Sequence, residues 1–539
     1  MQRTLKIVGW LIGIPLVITF LVATLGFLAV RYNFWPPNCD ILPIPQAKRV
    51  CEFSKREKVK MGTPTVVQFW VGIPESTSPS DIVYFVPEGK SQLAMKKVGD
   101  TSYEVDIPAM IGEEFSYRYR RDEQESFSDI KNIKIGILGE DVFDAVSAWS
   151  DDKKISRIAT STRIIVNTMD TWTINYNFNF FEDTRNNIES TMVRAKALGA
   201  NELGVFSFIE VLGNKDSFTL QGVDTPFKYM RDAAISAGDM KKLAKLGKEY
   251  GLDIVIHYNT EADYTKYFNV KDFRIIGAGV GGAAAHGRAA KELGIDEPKS
   301  KEWIDMWFDG LEPVLLMWAK NAEVAGIYGI DITPQYMVPK FAPQEAYADT
   351  RYKEIIGEMR KVYKGKIVAS SFGWFGGITD RNKATYINDV DALYVPLPPL
   401  KVREGASLAE MRAIYTKNVI ALQSEFNAYP KGINLIIAQA SYKGAINGVP
   451  SFEYNDFAEA RAKGHVADWQ AQADSYDAAL SVLSRSTFFK GIGTSGYWFD
   501  DFMDPNYADP LISMHPSIRN KPAEAVWKKW VNPVEPVHI

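Results

Sequence analysis

Polar side chains follow several short apolar runs in the second half of the sequence, where they could do proton-transfer or binding chemistry. Gln439 follows the run 433–438, and Asp331 closes the segment Gly329-Ile330-Asp331. A carboxylate can transfer a proton or act as a nucleophile, whereas an amide is uncharged and only donates and accepts hydrogen bonds. Further carboxylates follow other apolar runs, at Asp170, Glu210, Glu261, Asp500 and Asp501.

The elements that would position these residues are alternating strands and helices. A continuous apolar run such as 433–438 is typical of a strand buried on both faces of a parallel sheet. Candidate strands are 163–168, 202–208, 253–257, 326–332, 366–371, 392–396, 434–440 and 491–499, and candidate helices are 187–198, 239–250, 301–325, 352–363, 408–426 and 467–484. Eight such units predict a (β/α)₈ TIM barrel over 158–539, with a doubly wound open sheet as the alternative. In a barrel, polar residues at the C-terminal ends of strands face the site.

A different pattern precedes the barrel, over 63–145. Its β-rich segments 66–71, 82–86, 103–107 and 115–120 are separated by Pro, Gly and Ser turns. They predict a small antiparallel sandwich of immunoglobulin-like type. The strand order, with the late Tyr117-x-Tyr119 strand, resembles starch-binding-type carbohydrate modules. The paired surface tryptophans of those modules are not found, so a structural spacer is the alternative.

The N-terminal segment predicts a membrane anchor. The uncharged apolar run 7–30 is long enough to cross a bilayer and has no convincing cleavage site, so we expect an uncleaved helix within 1–35 and a linker over 36–62. The flanking positive charges are nearly balanced and do not set the orientation. Cys39 and Cys51 suit a disulfide if this region lies outside the cytoplasm, and two free thiols are the alternative.

The net charge and one glycine-rich segment bear on whether nucleic acid or a dinucleotide cofactor should bind. The formal net charge is −4, so there is no general attraction to nucleic acid, and we expect none to bind. The segment 277–282 fits G-x-G-x-x-G, but it lacks a clear preceding strand and a following strand that ends in an acid. We interpret it as an insertion over the barrel mouth. No cofactor and no metal site are predicted.

Several blocks, taken in order along the barrel, resemble clan A glycoside hydrolases, most closely the β-mannanase-like family 113. The blocks are 195–202, 239–257, 318–323, 359–365, 389–396, 470–476 and 496–499. The resemblance implies a general acid/base at the end of the fourth strand, where the family has Gly-x-Glu and this chain has Asp331. It implies a nucleophile at the end of the seventh strand, where this chain has Gln439. An amide is a poor nucleophile, so we expect the double-displacement route to be absent.

The resemblance also implies a sugar-binding cleft. Its expected substrate-binding residues are Trp172, Glu210, His257, Tyr394, Tyr442 and Trp498, with barrel-rim packing as the alternative for each. The sugar-related domains and the cysteine pair favour an extracytoplasmic location. We therefore expect a membrane-anchored protein that binds a polysaccharide or glycan, with hydrolysis lost or strongly altered. The alternatives are an active glycosidase or transglycosidase that uses Asp331 with another carboxylate, and a structural component of a cell-envelope assembly with a vestigial cleft.

Overall fold

A computed structural model describes most of the chain from residue 62 to residue 531. The described residues are 62, 64–74, 77–78, 80–99, 101–122, 126–135, 142–146, 149, 158–168, 187–223, 237–262, 289–335, 337–371, 374–398, 400, 402, 406–437, 468–495, 516–519 and 521–531. The predicted anchor 7–30 and both cysteines lie outside them. Within the described ranges, no helix combines the length and apolar character needed to cross a bilayer.

The first nine strands form two sheets. They are β1 (Pro64–Gly72), β2 (Val83–Pro87), β3 (Leu93–Ala94), β4 (Lys96–Gly99), β5 (Ser102–Met110), β6 (Glu114–Arg121), β7 (Ser126–Phe127), β8 (Lys131–Lys134) and β9 (Val142–Ala145). One sheet has the order β4-β5-β1-β9, and the other joins β3, β2, β6, β7 and β8. Alternate residues such as Phe69, Phe85 and Tyr117 fill a shared core. The strands pair antiparallel except β1 with β9, which run parallel. The immunoglobulin-like and carbohydrate-module assignments stay predictions.

Eight parallel strands then close into a barrel. They are β10 (Arg163–Thr168), β11 (Glu202–Asn214), β13 (Asp253–Ala262), β14 (Gly329–Pro334), β15 (Lys366–Ser370), β16 (Ala392–Pro396), β17 (Ile433–Ile437) and β18 (Gly491–Thr494). Each pairs with the next, and β10 pairs with both β11 and β18, so the ring has no free edge. This closure confirms the barrel and excludes the open sheet. A further strand, β12 (Ser217–Val223), extends β11 as an antiparallel hairpin that the sequence analysis did not predict.

Helices surround the ring. They are α1 (Asn187–Ala197), α2 (Ala237–Tyr250), α3 (Lys301–Ala325), α4 (Glu345–Val362), α5 (Leu408–Phe426), α6 (Trp469–Leu483) and α7 (Pro522–Trp530), with a short turn at Trp374–Gly377 and 3₁₀ turns at Arg381–Lys383 and Thr385–Asn388. The ends of α3 show why the bounds of this helix can be predicted from the sequence. The Ser300 hydroxyl accepts the Trp303 N–H, and Gly326 ends the helix at φ 80°, where a side chain would be strained.

Two apolar layers hold the barrel in place. Outward-facing strand residues pack against the helices, whereas Ile165, Val255, Val368, Tyr394 and Ile436 fill the interior. This alternation follows from the two-residue period of a strand, which turns successive side chains to opposite faces. Polar side chains at the C-terminal ends of strands therefore rest on a packed interior.

A buried ionic cluster joins the sandwich to the barrel. Asp477 on α6 is buried and accepts hydrogen bonds from Lys529 at 2.9 Å and Trp530 at 2.5 Å, both on α7. It also accepts the hydroxyl of Thr101, which lies between β4 and β5 of the sandwich, at 2.7 Å. Burial would raise the pKa of Asp477, but Lys529 and these hydrogen bonds lower it. The carboxylate therefore anchors both parts of the chain.

Candidate functional site

The Asp331 carboxylate lies in a cage of protein donors. Asp331 is fully buried, and its Oδ1 accepts hydrogen bonds from the Thr333 N–H at 2.9 Å and the Thr333 hydroxyl at 2.7 Å. Its Oδ2 accepts from Ser370 Oγ at 2.5 Å and lies 2.9 Å from His257 Nδ1. The Gln335 amide nitrogen lies 3.5 Å from Oδ2 and donates to Ser370 Oγ at 3.1 Å. Both oxygens are therefore engaged by the protein itself.

The sheet register explains why these residues meet. Asp331 and Thr333 are two apart on β14, so they share a face. Asp331 is in register with Val368 on β15, which places Ser370 one step further along the same face. On the other side, Ile330 is in register with Ile256 of β13, next to His257. Three neighbouring strands thus deliver their polar side chains to one point.

His257 is held in one orientation. Its ring stacks on Phe206 at a centroid distance of 5.4 Å and meets the Tyr394 ring edge-on at 5.2 Å. Nδ1 lies 2.9 Å from an Asp331 carboxylate oxygen and 3.2 Å from the Gln335 amide nitrogen. Because a carboxylate only accepts and lies at the shorter distance, we assign the proton to Nδ1, which donates a hydrogen bond to Asp331. Nε2 is then an acceptor in the neutral ring. It is buried, and no hydrogen-bond partner for it is found among the described residues.

A second ionic cluster lies at the opposite, N-terminal end of the strands. Glu202 is buried, and its carboxylate pairs with Arg163 and accepts the Tyr394 hydroxyl at 2.5 Å. Arg163 also contacts Asp253 at 2.5 Å and lies 4.4 Å from the Tyr328 ring centroid. Burial, and then the Glu202 charge, raises the pKa of Tyr394 well above its usual range. The hydroxyl of Tyr394 thus points to the floor of the barrel and away from its mouth.

Glu210 lies beyond the ring, on the long extension of β11. It is fully buried, and its backbone is in register with Glu261 on β13 and Gln221 on β12. Neighbouring parallel strands are about 4.8 Å apart, so two carboxylate-bearing residues share one level on adjacent strands. Glu210 is not among the residues of the Asp331 cage.

Of the predicted site residues, the structure brings together Asp331, His257 and the ring of Tyr394. The others, Trp172, Gln439, Tyr442 and Trp498, lie outside the described residues, as do Asp170, Asp500, Asp501 and the segment 277–282. Within the described ranges, no three His, Cys, Asp or Glu side chains are grouped so as to hold a metal ion. The roles assigned to these residues stay predictions.

The sequence analysis missed the residues that engage Asp331. Thr333 directly follows the predicted strand 326–332 and Ser370 lies within the predicted strand 366–371, and their two-residue spacing from Asp331 and Val368 was a usable signal. Gln335 follows β14 in a loop, and no spacing rule places its amide. Arg163, Glu202 and Asp253 each begin a strand, so their convergence at the floor also follows from the barrel.

No protein-family model matches the chain, and no curated protein matches its sequence. Among solved structures, a family 113 β-1,4-mannanase has 11% identity and a TM-score of 0.45, covering 70% of this chain and 100% of that chain. The family 113 β-mannanase of Alicyclobacillus acidocaldarius has 14% identity and a TM-score of 0.42, covering 70% and 99%. A family 5 mannosidase of Rhizomucor miehei has 12% identity and a TM-score of 0.40, covering 69% and 96%.

Proposed function

We propose that this protein binds a polysaccharide or glycan in the mouth of its barrel without cleaving it by the two-carboxylate route. The barrel presents polar side chains at the C-terminal ends of its strands, which is where barrel proteins bind their ligands. The sequence blocks that resemble β-mannanase-like proteins make β-1,4-linked mannan the first polymer to test.

The state of Asp331 is the observation that carries the proposal. A general acid must present its carboxyl group to the leaving oxygen of a substrate. Asp331 lies within the fourth barrel strand, three residues before the strand ends at Pro334, where it is fully buried and both oxygens accept protein hydrogen bonds. To reach a substrate it would have to give up bonds to Thr333, Ser370 or His257. This geometry supports a positioning role, and Gln439 at the expected nucleophile position points the same way.

Calorimetry with soluble β-1,4-linked manno- and gluco-oligosaccharides tests the binding. We expect saturable binding to the full chain and no release of new reducing ends. The variant Gln439→Glu restores a carboxylate at the predicted nucleophile position. Because Asp331 stays caged, we expect this variant to bind with similar affinity and to remain inactive or nearly so. The absence of binding to any oligosaccharide would refute the proposed function and favour a vestigial cleft.

A second candidate is hydrolysis by a carboxylate pair that the family does not use. The register of Glu210 with Glu261 on adjacent strands favours it, because retaining glycosidases hold two carboxyl groups about 5 Å apart. If wild-type protein cleaves chromogenic β-glycosides, Glu210→Gln and Glu261→Gln should each abolish the cleavage. Cleavage that survives both substitutions would rule this pair out.

We further propose that the protein is anchored to a membrane by the apolar run 7–30, with the barrel extracytoplasmic. The run is uncharged and long enough to span a bilayer. Alkaline carbonate extraction of membranes tests the anchor, because an integral protein stays in the pellet. Protease added to intact cells tests the orientation, because an extracytoplasmic barrel is accessible to it.

A further inference from the structure

Two buried acceptor atoms lie near each other inside the barrel. Asn167 on β10 and His257 on β13 are only 3% and 1% exposed. Asn167 Oδ1 and His257 Nε2 are both buried, and neither has a hydrogen-bond partner within the part of the chain that the structure describes. A buried polar atom without a partner is costly, so such atoms commonly mark an ordered water or a ligand group.

Gly204 on β11 lies between these two side chains and shows how near they are. It is in register with Asn167 on one side and with Val255 on the other. A Cβ at position 204 would lie 2.0 Å from Asn167 Oδ1 and 3.0 Å from His257 Cδ2, the atom bonded to Nε2. Asn167 Oδ1 and His257 Cδ2 are therefore no more than about 5 Å apart, and Nε2, one bond further on, lies at most about 6.4 Å from Oδ1. One water that donates to two acceptors can span up to about 6 Å, so the two acceptors lie at or near the distance that a single donor group bridges.

The tautomer of His257 decides what that group must be. Asp331 accepts a hydrogen bond from the Nδ1–H of His257. In the neutral ring, Nε2 therefore carries a lone pair. Asn167 Oδ1 is also an acceptor. Two acceptors do not bond to each other, and both require an O–H or N–H donor between them.

We propose that Asn167 and His257 form a subsite for a hydroxyl group, with Asp331 as the residue that positions His257. In the free protein a water molecule donates to both acceptors. In the complex a saccharide hydroxyl replaces that water, which rests on the proposed function. Because residue 204 is glycine, the Asn167 side chain can lie against the β11 backbone, and the stacked Phe206 ring holds the imidazole from the side.

Nitrogen-15 NMR of the full chain, labelled at histidine, tests the first part without a variant. The sequence has five histidines, and the signal lost in His257→Gln identifies the ring. We expect the Nδ1–H tautomer, with Nε2 shifted by an accepted hydrogen bond. We expect Asp331→Asn to release the ring to a mixture of tautomers. A wild-type ring in the Nε2–H form would overturn the subsite, whether or not any saccharide binds.

Saccharide affinity tests the second part. Asn167→Leu removes the acceptor while keeping the number and branching of the side-chain heavy atoms, and we expect it to weaken binding of β-1,4-linked manno-oligosaccharides about tenfold. Asn434→Leu is a matched control, since Asn434 is an equally buried asparagine near the N-terminal end of β17. It should leave the affinity within about twofold.

The outcomes are separable. Suppose that wild-type protein binds saccharide, that Asn167→Leu keeps the wild-type affinity, and that the His257 Nε2 signal does not change on binding. The saccharide hydroxyl then does not occupy the subsite. If nothing binds, the proposed function fails. In that case, an Nε2 signal shifted by an accepted hydrogen bond still supports a subsite occupied by water. An Nε2 signal without that shift refutes the subsite.

Discussion

Replacing Asp331 with Asn separates a positioning carboxylate from a catalytic one. The Asn side chain keeps an oxygen toward Thr333, but its NH₂ group replaces Oδ2 and faces the donors of Ser370 and His257. Each lost hydrogen bond to a buried charge costs about 1.5–3 kcal/mol, and His257 can recover one of the two by moving its proton to Nε2, so we expect a net loss of about 1.5–3 kcal/mol. Replacing an active-site acid that awaits a substrate commonly costs little stability, because such an acid contributes little to the stability of the fold.

Thermal unfolding of the full chain, followed by tryptophan fluorescence, measures this loss. For a barrel of about 380 residues, an unfolding entropy near 0.8 kcal/mol/K converts the loss to a fall in Tm of about 2–4 °C. Asp296→Asn is the control, because the Asp296 side chain is 71% exposed and pairs with Lys340 at the surface. It should change Tm by less than about 1 °C. An unchanged or raised Tm in Asp331→Asn would refute the positioning role.

Two further predictions concern buried carboxylates away from the mouth. Burial would raise the pKa of Glu345, but hydrogen bonds, led by that from Lys383, lower it to about 2, below its ordinary value of 4.5. The stabilisation is therefore complete above pH 4.5 and is lost as the pH falls towards 2. This stabilisation amounts to about 2 kcal/mol after allowance for the half-exposed Lys383. The difference in the free energy of unfolding between wild type and Glu345→Gln should therefore decrease to near zero as the pH falls from 4.5 to about 2. Asp477→Ala should cost about 3–5 kcal/mol in chemical denaturation, because it leaves Lys529 buried without its partner. The exposed-pair control Glu358→Ala should cost less than about 1 kcal/mol, and an equal loss in both variants would contradict the role of burial.

The barrel could be predicted because its signals are local. Five strands start where the sequence pattern places them, because each is a short apolar run that follows a turn. They begin at Arg163, Glu202, Asp253, Lys366 and Ala392. Helices 301–325 and 408–426 were predicted with their observed bounds, because Ser300 and Ser407 cap them and the apolar spacing runs through each. The hairpin of β11 with β12 was not predicted, because the predicted strand ends at Phe208 whereas β11 continues to Asn214 and turns into β12.

The chemistry of the mouth was less predictable, because it depends on contacts between distant strands. The sequence placed Asp331 at a strand end and the resemblance supplied an acid/base role. Whether that carboxylate is free depends on Ser370 and His257, which reach it from neighbouring strands. The converging acceptors of Asn167 and His257 likewise require the register of three strands, with Gly204 between them.

The most direct measurement of the central claim is the release of reducing ends from β-1,4-linked manno-oligosaccharides by wild type and Asp331→Asn, compared at a temperature where both are folded. If Asp331 only positions its neighbours, neither protein should show turnover, although wild type binds the oligosaccharide. Turnover by wild type that falls about a hundredfold or more in Asp331→Asn would make Asp331 a catalytic acid and contradict the account.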